Sequence, residues 1–331
     1  VGLAVKDQKN PQFLTKKVSH KSKGDFIFKN LAAIMAASAL VLLFIIGYEL
    51  ASGSATVIKT FGADFFAGTK WIPNEGREFY GALPYLLGTL ASSGIALLIA
   101  VPLSIGIAVF LVEMSPRALR VPISYLVELL AAVPSVIYGL WGLFIFRFIL
   151  TDYIAIPLNT YLGWIPIFSG DPHGLDLFTA SVVLAIMIIP TIASITKEVV
   201  ASVPNSIREG AYSIGATKWE VIRHWVLTYG RSGIFGAVIL GLGRAVGETM
   251  AVAMLIGNAQ GAAAIPTSLF LPSQTMASLI ANGFLEASPG SLLQSAYIGV
   301  GLILLLMSLG INLFARVMVT KVLKVKGGAV E

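Results

Sequence analysis

The sequence predicts an all-α, polytopic membrane protein with six transmembrane helices. Three observations predict it. Of 331 residues, 56% are hydrophobic and only 12% are charged, and the mean hydropathy is +0.84, too apolar for a soluble domain of this length. Six stretches reach the roughly 20 residues that a helix needs to cross a hydrocarbon core of about 30 Å. Lys and Arg alternate in density between successive loops, as the positive-inside rule requires.

In chain order the predicted spans are residues 31–50, 80–112, 121–146, 177–196, 232–257 and 292–315. The second contains Pro84 and Pro102 and is too long for one straight crossing, so a bent or interfacial start is expected. The charges inside these spans are Glu49, Glu128, Arg244 and Glu248. Seven Lys residues precede the first span, two basic residues lie in 113–120, five in 197–231 and four in the C-terminal tail. The alternate loops, 51–79, 147–176 and 258–291, hold four together. Both termini are therefore expected in the cytoplasm. The organisation predicted is an N-terminal arm over 1–30, a six-helix domain over 31–320 with a cytoplasmic loop at 197–231, and a tail over 321–331. The arm is expected along the anionic inner leaflet or free in solution, with Phe13, Leu14, Phe26, Ile27 and Phe28 as its apolar contacts. Its length and basicity, and the length of the span behind it, argue against a cleavable signal peptide, although an Ala-rich face resembles a cleavage site.

Composition also excludes classes. The net charge of +6 is spread by topology and not gathered on one soluble face, so no nucleic-acid partner is expected. With no cysteine there is no disulfide framework and no thiolate metal site. His20, His173 and His224 lack metal-ligand spacing. No G-x-x-x-x-G-K-[ST] sequence, catalytic triad or metal cluster occurs, so the chain is expected to be non-catalytic, with no cofactor of its own. The aromatic residues Trp71, Tyr80, Tyr153, Tyr161 and Trp164 fit an interfacial belt or a protein contact on the outer side.

Two places carry the functional signal. The first is GLGRAVGETMAV, Gly241 to Val252, in the fifth span. A guanidinium at mid-bilayer costs roughly 2.5 to 3.5 kcal/mol on insertion scales, so Arg244 needs a partner or a task. Counting inward from Ser232 at about 1.5 Å per residue puts it roughly 18 Å deep, near the midplane. Its forked donors suit a tetrahedral oxyanion, and it keeps its charge in the membrane. Glu248, one helical turn further out, is expected to neutralise it when the path is empty. The other reading is a purely structural pair, satisfied within the helix or bridging to a neighbouring subunit. The Arg-before-Glu order is the weaker one for an isolated helix, which favours partners outside it. Glycines at 233, 236, 241, 243 and 247 give this span a small-residue face for close packing against a partner. Glu128, a weaker candidate for the pathway, is expected either to accept from Arg244 or to serve a structural role at the inner interface.

The second place is the loop 197–231. Pro204 ends the fourth span, Asn205 or Ser206 can cap a short helix carrying Glu209, and Gly215 permits a sharp turn into a second helix. There Trp219, Ile222, Val226 and Leu227 form an apolar stripe. The expected product is a compact helical knob at the membrane face.

This loop resembles the signature of permease subunits of ATP-binding-cassette importers, Glu-Ala-Ala, three residues, Gly, nine residues, Ile, one residue, Leu-Pro. Glu209-Gly210-Ala211, Gly215 and Leu227 fall in register, while Gly210 replaces an alanine, Trp225 stands at the isoleucine and Thr228 at the proline. With the segments Tyr80 to Leu111, Glu128 to Phe146 and Leu240 to Val252, the similarity extends over roughly residues 25 to 320 and is to phosphate-specific permeases of the PstC type. The resemblance implies a type I importer permease fold in a bacterial or archaeal plasma membrane, and a knob that docks in an ATPase cleft through Glu209, Ala211, Gly215, Thr217 and Trp219. It also implies four kinds of partner: a PstA-type second permease, two ATPase subunits that carry the ATP and Mg, an extracytoplasmic phosphate-binding protein, and the lipid bilayer. Alternatives left open are a permease for sulfate, molybdate or tungstate, or an ion-coupled secondary transporter; a lipid-modifying enzyme would need a polar cluster that the sequence lacks.

Overall fold

The computed structural model describes residues 23–74 and 76–319. Among them are six helices long and apolar enough to cross a membrane: Phe26–Gly53, Leu83–Met114, Ser135–Leu162, Leu177–Ala201, Lys218–Val246 and Leu292–Val317. The chain divides into two compact units, Val1–Tyr48 and Glu49–Glu331. In the first, Phe26, Ile27 and Phe28 are exposed and belong to the spanning helix itself, which corrects their assignment to the arm. Residues 1–22 of the arm, Phe13 and Leu14 among them, and the tail over 321–331 lie outside the described residues.

The second unit is built around the fourth span. Of its most apolar window 61% is buried, against 22–33% for the other spans of this unit, so it is the protein-facing hub. The second span packs along it on a buried ladder of small residues four apart, Ser92, Ala96, Ala100, Ser104 and Ala108, which Gly88 continues towards the Gln274 backbone. Helices whose facing residues are this small approach closely, and contact between them gains dispersion energy that lipid cannot supply. Ser104 adds a hydrogen bond across the pair, its hydroxyl donating to the Ile189 carbonyl at 3.1 Å. The hub buries Val183, Leu184, Met187, Ile188 and Ile192 in one core with Ala96 and Ala100 of the second span and with Ala237, Ala245, Val252 and Leu255.

Two predicted spans are corrected. The apolar run 121–146 is split: one helix covers Arg117–Ala132, and the span begins afresh at Ser135. Pro134 is the cause, since a residue before proline is driven out of the helical region, and Val133 is extended at φ −65°, ψ 128°. The third span then continues past Phe146 to Leu162 and takes Arg147 and Asp152 with it. The fifth span starts 14 residues earlier than predicted, at Lys218, and stops at Val246 instead of Gly257. A short helix, Met250–Leu255, follows the break.

Two of the segments predicted as outer loops, 51–79 and 258–291, fold into a packed lobe. Ala55–Phe61, Ala63–Ala67, a two-strand hairpin pairing Trp71 with Tyr80, and Met276–Gly283 share one core with the start of the sixth span. Trp71 and Tyr80 are buried there, with Trp71 edge-on to Tyr80 and Tyr85 at ring distances of 5.0 and 5.3 Å. This overturns their assignment to a belt; Tyr153, Tyr161 and Trp164 are exposed as expected of one. At the head of the fourth span Asp176 is the cap, its Oδ1 accepting from the Thr179 amide at 2.8 Å. Burial raises its pKa above the ordinary carboxylate value, with hydrogen bonds from Thr179 opposing.

Candidate functional site

The fifth span brings Arg244 to the hub. Its Nη1 donates to the Thr191 hydroxyl at 2.9 Å. Thr191 lies two residues from the middle of Leu177–Ala201, about 3 Å from that helix's midpoint, so the half-buried guanidinium meets the fourth span near its middle although Arg244 lies in the last turn of its own helix. Because the fifth span begins at Lys218, the depth counted from Ser232 does not hold. Tyr138, at the start of the third span, lies within its electrostatic reach. Sequence reasoning missed Thr191, because a hydroxyl in an apolar helix carries no signal until the opposite helix is placed.

Glu248 does not neutralise Arg244. The helix ends at Val246 and turns at Gly247, so the one-turn spacing assumed from the sequence does not exist, and no ion pair within 4.0 Å joins them. Instead Glu248 Oε1 accepts from the Ala251 amide at 3.3 Å, serving the next helix start as acidic caps do. Glu128 is not the partner of Arg244 either. It belongs to the helix before Pro134 and receives Lys197 Nζ at 3.0 Å. Lys197 lies six residues beyond Thr191 on the same span, about 9 Å nearer the knob.

The five glycines do not form one face: Gly233 and Gly241 pack against Val199 and Ile192 of the fourth span, while a Cβ at Gly236 or Gly243 would meet nothing within 4 Å. A cavity of about 280 Å³ lies there, lined by Gly243, Val246, Gly247, Gly301, Leu304 and Ser308.

The knob forms as the sequence requires, with three corrections. Its first helix is Asn205–Ser213, but Pro204 holds the cap position and neither Asn205 nor Ser206 caps it. Gly215 makes the turn at φ +85°, a conformation cheap only for glycine. Thr217 and Glu220 then form a reciprocal capping box, Thr217 N to Glu220 Oε2 at 2.7 Å. A wide π-helical turn, Val221–Val226, follows and changes the side-chain register. Ile222 and Val226 are buried, whereas Trp219 is 62% exposed and leaves the predicted stripe.

Ala211 is buried in a small core with Val200, Val203, Val221 and Val226, against which Trp225 packs. It holds the two knob helices together, while Glu209, Tyr212, Ile214, Thr217 and Trp219 face outward. The glycine at 210 is harmless to the pattern, since an alanine Cβ there would meet nothing within 4 Å.

These elements define a class: a multi-pass helical membrane protein with a half-buried guanidinium against the middle of its fourth span and a folded helical knob between its fourth and fifth spans. Residues 100–324 match the family described as binding-protein-dependent transport system inner membrane component, and the chain belongs to that family. It is 47% identical to the phosphate transport system permease protein PstC of Haemophilus influenzae, over 91% of this chain and 95% of that one. It is 46% identical to PstC of Mesorhizobium japonicum, over 90% of each. Among solved structures it resembles a bacterial alginate ABC transporter in complex with a pentasaccharide-bound periplasmic protein, with TM-score 0.57 and 20% identity over 91% of this chain and 98% of that one. It also resembles the inward-facing MetNI methionine ABC transporter, with TM-score 0.50 and 18% identity over 71% and 93%. At these identities the structural likeness shows the fold, that of ABC importer permeases.

Proposed function

We propose that this chain is the membrane permease subunit of an ATP-driven importer of inorganic phosphate. It forms half of the translocation path with a PstA-type permease and receives phosphate from an extracytoplasmic binding protein. Two ATPase subunits, which carry the ATP and Mg, drive it; the chain itself is non-catalytic. The knob end is cytoplasmic, with both termini on that side of a bacterial or archaeal plasma membrane. The PstC relatives support the phosphate assignment.

The observation that carries the mechanism is Arg244, a permanent cation held against the middle of the fourth span, whose side-chain hydrogen-bond partner there is a neutral hydroxyl. A fixed guanidinium offers forked donors to phosphate oxygens, and a neutral companion leaves its charge for the anion. Binding there is transient because the hydroxyl takes the guanidinium back when the anion leaves. Alternating access would expose this residue to each side in turn, driven through Glu209, Gly215, Thr217 and Trp219. Glu248 and Glu128 flank the path as positioning groups.

Phosphate uptake into proteoliposomes holding the full transporter tests this. Arg244→Gln is expected to reduce uptake at least about 100-fold, the scale of losing a charge-assisted contact worth about 3 kcal/mol, with the ATPase still assembled. Normal uptake in that variant would remove Arg244 from the path.

A further inference from the structure

Arg208, immediately before the docking glutamate, makes contacts that no docking role requires. Its Nη2 and Nε reach Glu113 Oε1 at 2.8 and 3.1 Å. Nη2 also donates to the Val200 carbonyl at 2.9 Å, and Nη1 to the Val203 carbonyl. The two side chains are 15% and 11% exposed. One guanidinium on the first knob helix thus grips the ends of the second and fourth spans together.

Glu113 stands on a wide π-helical turn, Phe110–Met114, that finishes the second span. In the same turn the Val112 carbonyl accepts from Arg120 Nη2 at 2.6 Å, on the helix that precedes Pro134. The knob and that helix therefore meet on one turn of backbone. From there the second span runs along the fourth, which holds Arg244 through Thr191.

We propose that the Glu113–Arg208 pair is the strut that transmits movement of the knob to the second and fourth spans. It rests on the reading of the knob as the ATPase docking element. A buried ion pair is weak evidence for stability alone, since desolvation offsets its attraction. What a two-nitrogen Arg–carboxylate contact supplies is fixed direction, and direction is what a mechanical link between a knob and a helix end needs. Arg208 and Glu113 are positioning residues: neither touches phosphate.

The test uses the complete transporter, with partner permease, ATPase and binding protein, in proteoliposomes, and reads phosphate carried per ATP hydrolysed. Glu113→Gln is expected to leave recovery of the ATPase with the complex unchanged and to lower that ratio about tenfold, which corresponds to about 1.4 kcal/mol. Arg208→Gln should do the same, and the double variant should be no worse than either, as for two halves of one contact. Unchanged phosphate per ATP in Glu113→Gln, or additive losses in the double variant, overturns the strut. Should Glu113→Gln not reach the membrane, Glu113→Asp, which draws the charge back by one methylene, takes its place with the same expectation. Glu209→Lys separates the two ideas. If it leaves ATPase recovery intact, the docking reading fails; if it releases the ATPase while Glu113→Gln transports normally, the strut alone fails.

Discussion

Arg208 and Glu209 are neighbours in sequence, yet one is buried against Glu113 and the other faces outward. Successive residues on a helix point about 100° apart, so one turn can serve an interior and an exterior task. At the same scale Asp176 carries a testable charge. Its Oδ2 is buried without a hydrogen-bond partner, and burial raises its pKa. A folded-state pKa above the unfolded one means the native protein binds more protons, so stability falls as pH rises from the ordinary carboxylate range through the raised value. In thermal unfolding in detergent, the wild type is expected to melt higher at about pH 5 than at neutral pH. Asp176→Asn, whose amide oxygen still caps the helix, should lose that part of the pH dependence and be no less stable at neutral pH. A variant with the full wild-type slope would show that another group titrates. None of this was legible in the sequence, where nothing marks Asp176 as buried.

At the scale of elements, apolar length found six spans but misplaced the third and the fifth at both ends; Pro134 moved the start of the third and the turn at Gly247 the end of the fifth. Hydropathy cannot see the break at Val133–Pro134, because the residues on both sides are equally apolar. Wide turns such as Phe110–Met114 and Val221–Val226 leave no compositional trace, although they set which side chains face the core. The small-residue ladder of the second span was present in the sequence, but its partner was not. A Cβ at Gly88 would collide with the backbone carbonyl of Gln274, 186 residues away. Gly88→Ala is therefore expected to cost about 1–3 kcal/mol in denaturant or thermal unfolding of the purified protein, against near neutrality for Gly236→Ala, where the space is open. Equal stability of the two variants would argue that the outer lobe can move away from the second span.

For the whole molecule, topology is the functional claim with the widest reach, because it decides which end meets the ATPase. The chain has no cysteine, so a single introduced thiol reports without background. Leu285, 92% exposed near the lobe, and Trp219, 62% exposed on the knob, suit this purpose. An impermeant thiol reagent is expected to label Leu285→Cys in intact cells and Trp219→Cys only after permeabilisation. The reverse pattern would invert the bundle. Energy coupling belongs to this scale too: phosphate uptake by this chain alone, driven by an ion gradient, would replace the ATP-driven importer with a secondary transporter.

The sequence by itself determined the class, the number of spans, the knob and its glycine turn, and the presence of one costly cation in the fifth span. Each follows from a local quantity: apolar length, charge count, or a glycine whose backbone reaches a conformation costly for other residues. Only the tertiary structure decided what those residues touch. It gave Arg244 a threonine instead of Glu248, sent Glu128 to Lys197, buried Trp71 and Tyr80, and joined Arg208 to Glu113 across 95 residues. The physical reason is that a buried polar group is paid for by whichever partner the packing brings within about 3 Å, and packing is a property of helices placed against one another, not of the order of residues along any one of them.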